Sequence, residues 1–405
     1  MRDIVLYLHL HQPKRVRPYT IFDIGERHDY FASYEQQTDN QAIFAKIAHK
    51  SYRPMISLLR RLVDTQERFT VNLSVSGIWL EQCEAWDPSL LNDLKDLVAT
   101  GRVELAGETY YHSLAFFYSR FEFVKQVKMH EEALERHFGV KPVVFRNTEL
   151  AYNNELGQWA EDAGYRAILT EGWDPILNWR SSHYLYSPQE TNNIALFLKD
   201  YRLSDDLAFR FSNKQWTEWP LTADKYLGWI DALPEEERLV NLFMDFETFG
   251  EHQWHETGIF DFFEDFVTCW CDNGNRFASF SQALNTHRIH DAVDMPNTVT
   301  WADNERDLTA WLGNAMQQEA ADALYRLEDS VLRSDDDELI HDWRLLQASD
   351  HLYYLSTKWL DDGNVHAYFS PYDSPYDGFL NYMNAIRDIR YRIFEHNQRQ
   401  LPGGA

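Results

Sequence analysis

The sequence predicts an α/β chain, with a parallel, barrel-like domain followed by a bundle of helices, and three observations carry that prediction. Strand-like apolar runs alternate with helix-like stretches through the first two-thirds of the 405 residues. Two of those runs, Val143 to Glu149 and Leu239 to Glu247, end abruptly in acid, as barrel strands do when their C-terminal tips face a substrate. Beyond Pro296 the strand pattern disappears. The length suits one large domain with a smaller one appended, so residues 1–295 are assigned to the barrel and 296–405 to the helical part.

Taken in order, Ile4 to Leu10 reads as the first strand, and residues 41–63 show helical periodicity through Ile43, Ile47, Met55, Leu58, Leu59 and Leu62. Phe69 to Val75 alternates as a strand should. Pro88 opens a helix that runs to about residue 99 and is stopped by Gly101. Val103–Ala106 is a strand, and residues 120–138 form a helix with Gly139 as its C-cap. Val143–Glu149, a helix over 154–163, the strands Ala167–Thr170 and Ile194–Leu198, a helix near 222–232 and the strand Leu239–Phe246 complete the alternation. Three helical patterns then follow: Leu308–Leu332, Glu338–Trp359 and Tyr376–His396. The terminal Leu401-Pro402-Gly403-Gly404-Ala405 is expected to fray.

Composition narrows the partners. With 64 acidic against 38 basic residues the formal charge is −26, which repels nucleic acid and anionic lipid but not a neutral polymer. Aromatic residues make up 15%, enough for either a large aromatic core or a cleft that stacks on sugar rings. Three cysteines provide neither a disulfide framework nor a zinc spacing, as expected in a reducing compartment. The short apolar start is no signal peptide, and no run approaches the ~20 apolar residues of a membrane span. The expectation is a cytoplasmic protein of unspecified oligomeric state.

Five motifs carry chemistry. His9-Leu10-His11-Gln12-Pro13 ends the first strand with His9 and His11 on one face. Such a pair either holds a metal or donates to a sugar hydroxyl. In Glu104-Leu105-Ala106-Gly107-Glu108-Thr109-Tyr110-Tyr111-His112-Ser113, a strand delivers Glu104 or Glu108 and the Tyr110-Tyr111 pair follows. Glu149 is the only carboxylate at its strand tip, and Arg146 stands near enough to keep a neighbouring carboxylate ionised. Asp245 is followed by Glu247, Glu251, His252 and Trp254. Alternation puts Asp245 and Glu247 on one face, where two like charges push one carboxyl upward and favour a protonated acid. The fifth motif, Trp301 to Asn314, places Asp303 as a helix cap beside a tryptophan. Trp79, Trp173, Trp254, Trp301, Tyr110 and Tyr111 are candidate stacking platforms.

Together these five ordered stretches resemble glycoside hydrolase family 57, in particular its compact α-amylase-like subgroup. The resemblance implies an incomplete (β/α)7 TIM-like barrel with a C-terminal helical domain, and retaining cleavage of α-glucans. It implies Glu149 as nucleophile and Asp245 as general acid/base, their carboxyl groups about 5–7 Å apart. Substrate contacts would come from His9, His11, Glu104, Tyr110, Tyr111, Glu247, His252, Trp254, Trp301 and Asp303. No metal and no organic cofactor is implied. The rival readings are a 4-α-glucanotransferase or amylopullulanase of the same family, a metal-dependent polysaccharide deacetylase or mannosidase, and a non-catalytic glucan-binding protein.

Overall fold

The computed structural model describes residues 2–191, 193–358 and 370–400. Trp359 and the tail 401–405, on which two of the expectations fall, lie outside them. Among the described residues ten strands run in chain order: β1 (Asp3–Leu10), β2 (Val71–Val75), β3 (Val103–Leu105), β4 (Val144–Phe145), β5 (Ala167–Glu171), β6 (Leu185–Pro188), β7 (Ala195–Lys199), β8 (Leu239–Asp245), β9 (Arg276–Phe277) and β10 (Ile289–Val293). They form two five-stranded sheets. One has the order β3-β2-β1-β8 with β9 also paired to β1, and the other β10-β6-β7-β5-β4. All pairs are parallel except β6 with β7.

The central strands are largely apolar and buried because both of their faces are covered. All eight residues of β1 are buried, as are the first six of β8. One core cluster draws Val5, Tyr7, Val144, Leu169, Phe197 and Phe243 from both sheets. Backbone bonds also join the sheets at two places. The Gly107 N–H donates to Val144 O and the Arg146 N–H to Gly107 O, each at 2.8 Å, and the Asp200 N–H donates to Asn241 O at 2.8 Å.

The chain divides into two compact units. The first is Met1–His11, Ala45–Glu108 and Met129–Trp301; the second is Gln12–Phe44, Thr109–Lys128 and Ala302–Ala405. The first holds every strand named above. In the second, the pattern expected over Leu308–Leu332 is three helices, Thr309–Leu312, Ala315–Tyr325 and Glu328–Leu332. The first break has a local cause. Asn314 caps a new helix by accepting from the Gln317 N–H, while the Gln317 carbonyl oxygen accepts from the N–H groups of Gly313 and Asn314. Glu338–Trp359 is likewise divided into Asp337–Leu345 and Ser349–Tyr353, whereas Pro375–Gln400 is one long helix.

The largest departure from expectation concerns Val143–Glu149. Its strand stops at Phe145, and Thr148–Leu150 forms a 3-10 turn. Leu239–Phe246 ends one residue early, at Asp245, with Phe246–Thr248 another 3-10 turn. Strands β6, β9 and β10 carry no period-2 signal. β9 has two residues, β6 ends in proline, and β10 is exposed at its first three positions.

Asn72 is fully buried inside the first sheet. Its amide donates to Leu6 O and Ala278 O, and its carbonyl oxygen accepts from the Phe280 N–H at 2.8 Å. Replacing Asn72 by Ala removes three hydrogen bonds to buried backbone groups and is expected to cost about 2–4 kcal/mol, measured by urea unfolding.

Candidate active site

Because the strands that carry polar tips are parallel, their C-terminal ends point the same way. At the tip of β1, His9 is 2% exposed. Its Nε2 lies 3.1 Å from Glu108 Oε2, and its Nδ1 lies 3.8 Å from Asp245 Oδ1, its register partner at the end of β8. Glu108, just past β3, is fully buried, and the Arg146 guanidinium, also fully buried, reaches it at 3.7 Å. Arg146 follows β4 and lies over the Trp301 ring, 5.0 Å from its centroid. The Trp301 indole N–H in turn donates to Glu149 Oε2 at 2.9 Å. Glu149, Trp301, Arg146, Glu108, His9 and Asp245 thus form one chain of contacts within the first unit.

Glu149 sits on the 3-10 turn in the left-handed region, φ +59°, and Leu150 follows at φ +50°. For residues other than glycine each such conformation costs ~1–3 kcal/mol, so the surroundings must hold it. The Asn147 amide donates to Ala151 O at 2.9 Å, Tyr152 pairs with Val299 in both directions, and the Trp301 N–H donates to Glu149 O at 3.3 Å. A strained turn held on three sides turns the carboxylate away from the strand direction.

The carboxyls of Asp245 and Glu247, expected on one face, are shifted in opposite directions, and the raised one is not the general acid/base candidate Asp245. Burial alone would raise the Asp245 carboxyl, but the His9 hydrogen bond and the charges of His252, His9 and Arg146 outweigh it and hold Asp245 below the ordinary range. The upward shift falls on Glu247 instead, through burial first and then the charge of Asp245. The Tyr52 hydroxyl donates to Glu247 Oε1 at 2.6 Å, and the His11 backbone contributes a further bond. His252 is shifted down by burial, against Asp245 and Glu251.

The remaining candidates are spread more widely. His11 Nδ1 lies 2.7 Å from Ser76 Oγ, with its ring stacked at 5.8 Å on His9. Glu104 is not brought to this cluster. Its carboxylate accepts from the Ser281 N–H and hydroxyl, at 2.8 and 2.7 Å, and Glu108 holds the place beside His9. Glu251 is taken by Lys46 and Lys50. Trp254 is 55% exposed, with Lys50 Nζ 5.3 Å from its ring centroid. Trp79 is fully buried against Tyr52 and so offers no platform. Tyr110, Tyr111 and Asp303 belong to the second unit. There Tyr110 packs on Tyr111, whose hydroxyl lies 3.1 Å from His341 Nδ1, and Asp303 pairs with Lys358 at 2.7 Å.

Two charged tips were absent from the sequence candidates. Glu171 ends β5, and its register partner Lys199 ends β7; both are buried. Lys199 Nζ lies 2.9 Å from Asp205 Oδ1, 3.6 Å from Glu171 Oε2 and 5.7 Å from the Trp301 ring centroid. Each closes an apolar run, Ala-Ile-Leu-Thr-Glu and Ala-Leu-Phe-Leu-Lys. The rule that singled out Glu149 and Asp245 would have found them.

A parallel α/β unit that gathers carboxylates, histidines and a cation-flanked indole at its strand tips has the equipment of a glycoside hydrolase. The family model for glycosyl hydrolase family 57 matches residues 5–296, and the chain belongs to that family. A protein of Methanocaldococcus jannaschii named "Putative alpha-amylase" is 38% identical over 433 residues, covering 99% of this chain and 88% of that protein. Among solved structures, the GH57-type branching enzyme of Pyrococcus horikoshii aligns with TM-score 0.69 at 15% identity, covering 98% and 88% of the two chains. The 4-alpha-glucanotransferase of Thermococcus litoralis aligns with TM-score 0.64 at 16% identity over 87% of this chain; the match spans 56% of that enzyme's length.

The shifts at Glu247 and Asp245 have opposite signs in stability. A raised carboxyl favours the fold most below its unfolded value, 4.5, and that contribution is lost as pH rises toward the folded value. The lowered Asp245 contributes above 3.8 and loses its contribution as pH falls through its folded value. Glu247→Gln keeps an acceptor for Tyr52 without the charge. Its melting temperature relative to the unmodified protein should therefore rise from pH 5 to pH 8 in paired thermal scans.

Proposed function

We propose that the chain is a retaining α-glucan hydrolase of α-amylase type, with Glu149 as nucleophile and Asp245 as general acid/base. The observation that carries the reading is the unbroken chain of contacts from Glu149 through Trp301, Arg146, Glu108 and His9 to Asp245. It ties two carboxylates from different strand ends into one site. Glu149 attacks the anomeric carbon as the glycosidic C–O bond breaks, and a proton from Asp245 goes to the leaving oxygen. Asp245 then takes a proton from water, whose oxygen displaces Glu149 from the sugar.

The finer features of the architecture belong to the same proposal. The backbone bonds at Gly107 and Asp200, together with the shared core, support the two sheets as arcs of one incomplete (β/α)7 barrel. Catalysis is assigned to residues 1–295 with Trp301. His11, His252 and Trp254 are assigned to sugar contacts in the first unit. None of the three cysteines is disulfide-bonded, which supports the cytoplasmic reading. Among the described residues no helix is long and apolar enough to cross a membrane.

Transglycosylation is the second reading, favoured by the fold shared with a branching enzyme and a glucanotransferase. Incubation with maltoheptaose separates the two: hydrolysis yields only shorter chains, whereas transfer also yields longer ones. NMR of the first products should show the α-anomer. Glu149→Gln should lower turnover at least ~10³-fold with a melting temperature within a few degrees of the unmodified protein. An inverted first product, or Glu149→Gln turnover near normal, would sink the assignment.

A further inference from the structure

Trp301 has an aromatic ring within the site and reads from sequence as a platform for a sugar. Its surroundings argue for another use. The Arg146 guanidinium carbon and Lys199 Nζ both lie over the indole, 5.0 and 5.7 Å from the ring centroid. A ring attended by two cations has its π-density engaged already. Neither cation moves freely. Arg146 is fully buried beside Glu108. Lys199 is 3% exposed between Asp205 and Glu171. The polar edge of the same indole points at Glu149, donating to Oε2 at 2.9 Å, while the Trp301 backbone N–H donates to the Glu149 carbonyl at 3.3 Å.

We infer that Trp301 is a positioning residue for the Glu149 carboxylate, acting through its indole N–H, and that Lys199 acts through Trp301 by clamping the ring. The inference rests on Glu149 being the nucleophile. An N–H on Oε2 fixes the orientation of the carboxylate. That matters on a turn whose φ of +59° offers no help from ordinary strand geometry. Cations over the ring draw density from it and make the N–H a better donor to an anion.

The test is steady-state kinetics on maltoheptaose with Trp301→Phe, Trp301→His, Lys199→Met and the double variant Trp301→Phe/Lys199→Met. Phe keeps the aromatic face and loses the donor, so kcat should fall about 10–100-fold with KM within about threefold. His restores a ring N–H and should recover part of kcat. Lys199→Met should lower kcat without changing KM, and in the double variant it should add little to the Phe loss. A stacking platform would behave the other way, with Phe near normal in kcat and any loss appearing in KM. Normal kcat in Trp301→Phe, or fully additive losses in the double variant, overturns the inference while leaving the nucleophile assignment intact. Near-normal turnover in Glu149→Gln overturns both.

Discussion

Arg146 imposes the constraint from which the site follows. A guanidinium cannot shed its proton, and this one has no exposed surface, so anions and π-density must meet it inside the protein. Glu108 is the carboxylate at 3.7 Å and Trp301 the ring at 5.0 Å, and its charge is one of those that hold Asp245 down. Glu108 then has His9 on its other side, which turns its second nitrogen toward Asp245. One buried charge thereby sets the order of groups across four strand ends.

The strain at Glu149 fits the same arrangement. Two successive non-glycine residues with positive φ would relax if the turn were free. Here the Tyr152–Val299 pair and the backbone and indole bonds from Trp301 hold it. Family membership makes the chain a glycoside hydrolase, and the geometry suggests how two carboxylates in one protein acquire different work. Asp245 faces histidines and Arg146. Glu247, two residues on, is enclosed with a tyrosine hydroxyl, and burial together with the charge of Asp245 pushes its carboxyl up.

Much of this was legible in the sequence. The run from Asp3 to Leu10 and that from Leu239 to Asp245 are strands because continuous apolar residues of that length suit a strand covered on both faces, and both were read to within a residue. The helix at Arg120–Phe138 matched at both ends. Glu149 and Asp245 were singled out because an acid that closes an apolar run has to face something other than the core. The same logic was not carried to Glu171 and Lys199, whose strands are just as apolar. β6, β9 and β10 were illegible because each is short or lies at an edge, where pairing rather than side-chain pattern makes the strand.

What the sequence by itself determined is the set of strand ends and the kind of residue each delivers, since apolar patterning and chain punctuation are local properties. Tertiary structure alone decided which ends meet. It brought Glu108 and not Glu104 beside His9, and it pushed the carboxyl of Glu247 up and that of Asp245 down. It also turned Trp301 toward Glu149 with two cations at its ring. These outcomes depend on burial and on groups brought together from positions as distant in sequence as His9 and Asp245, and no local pattern carries that information.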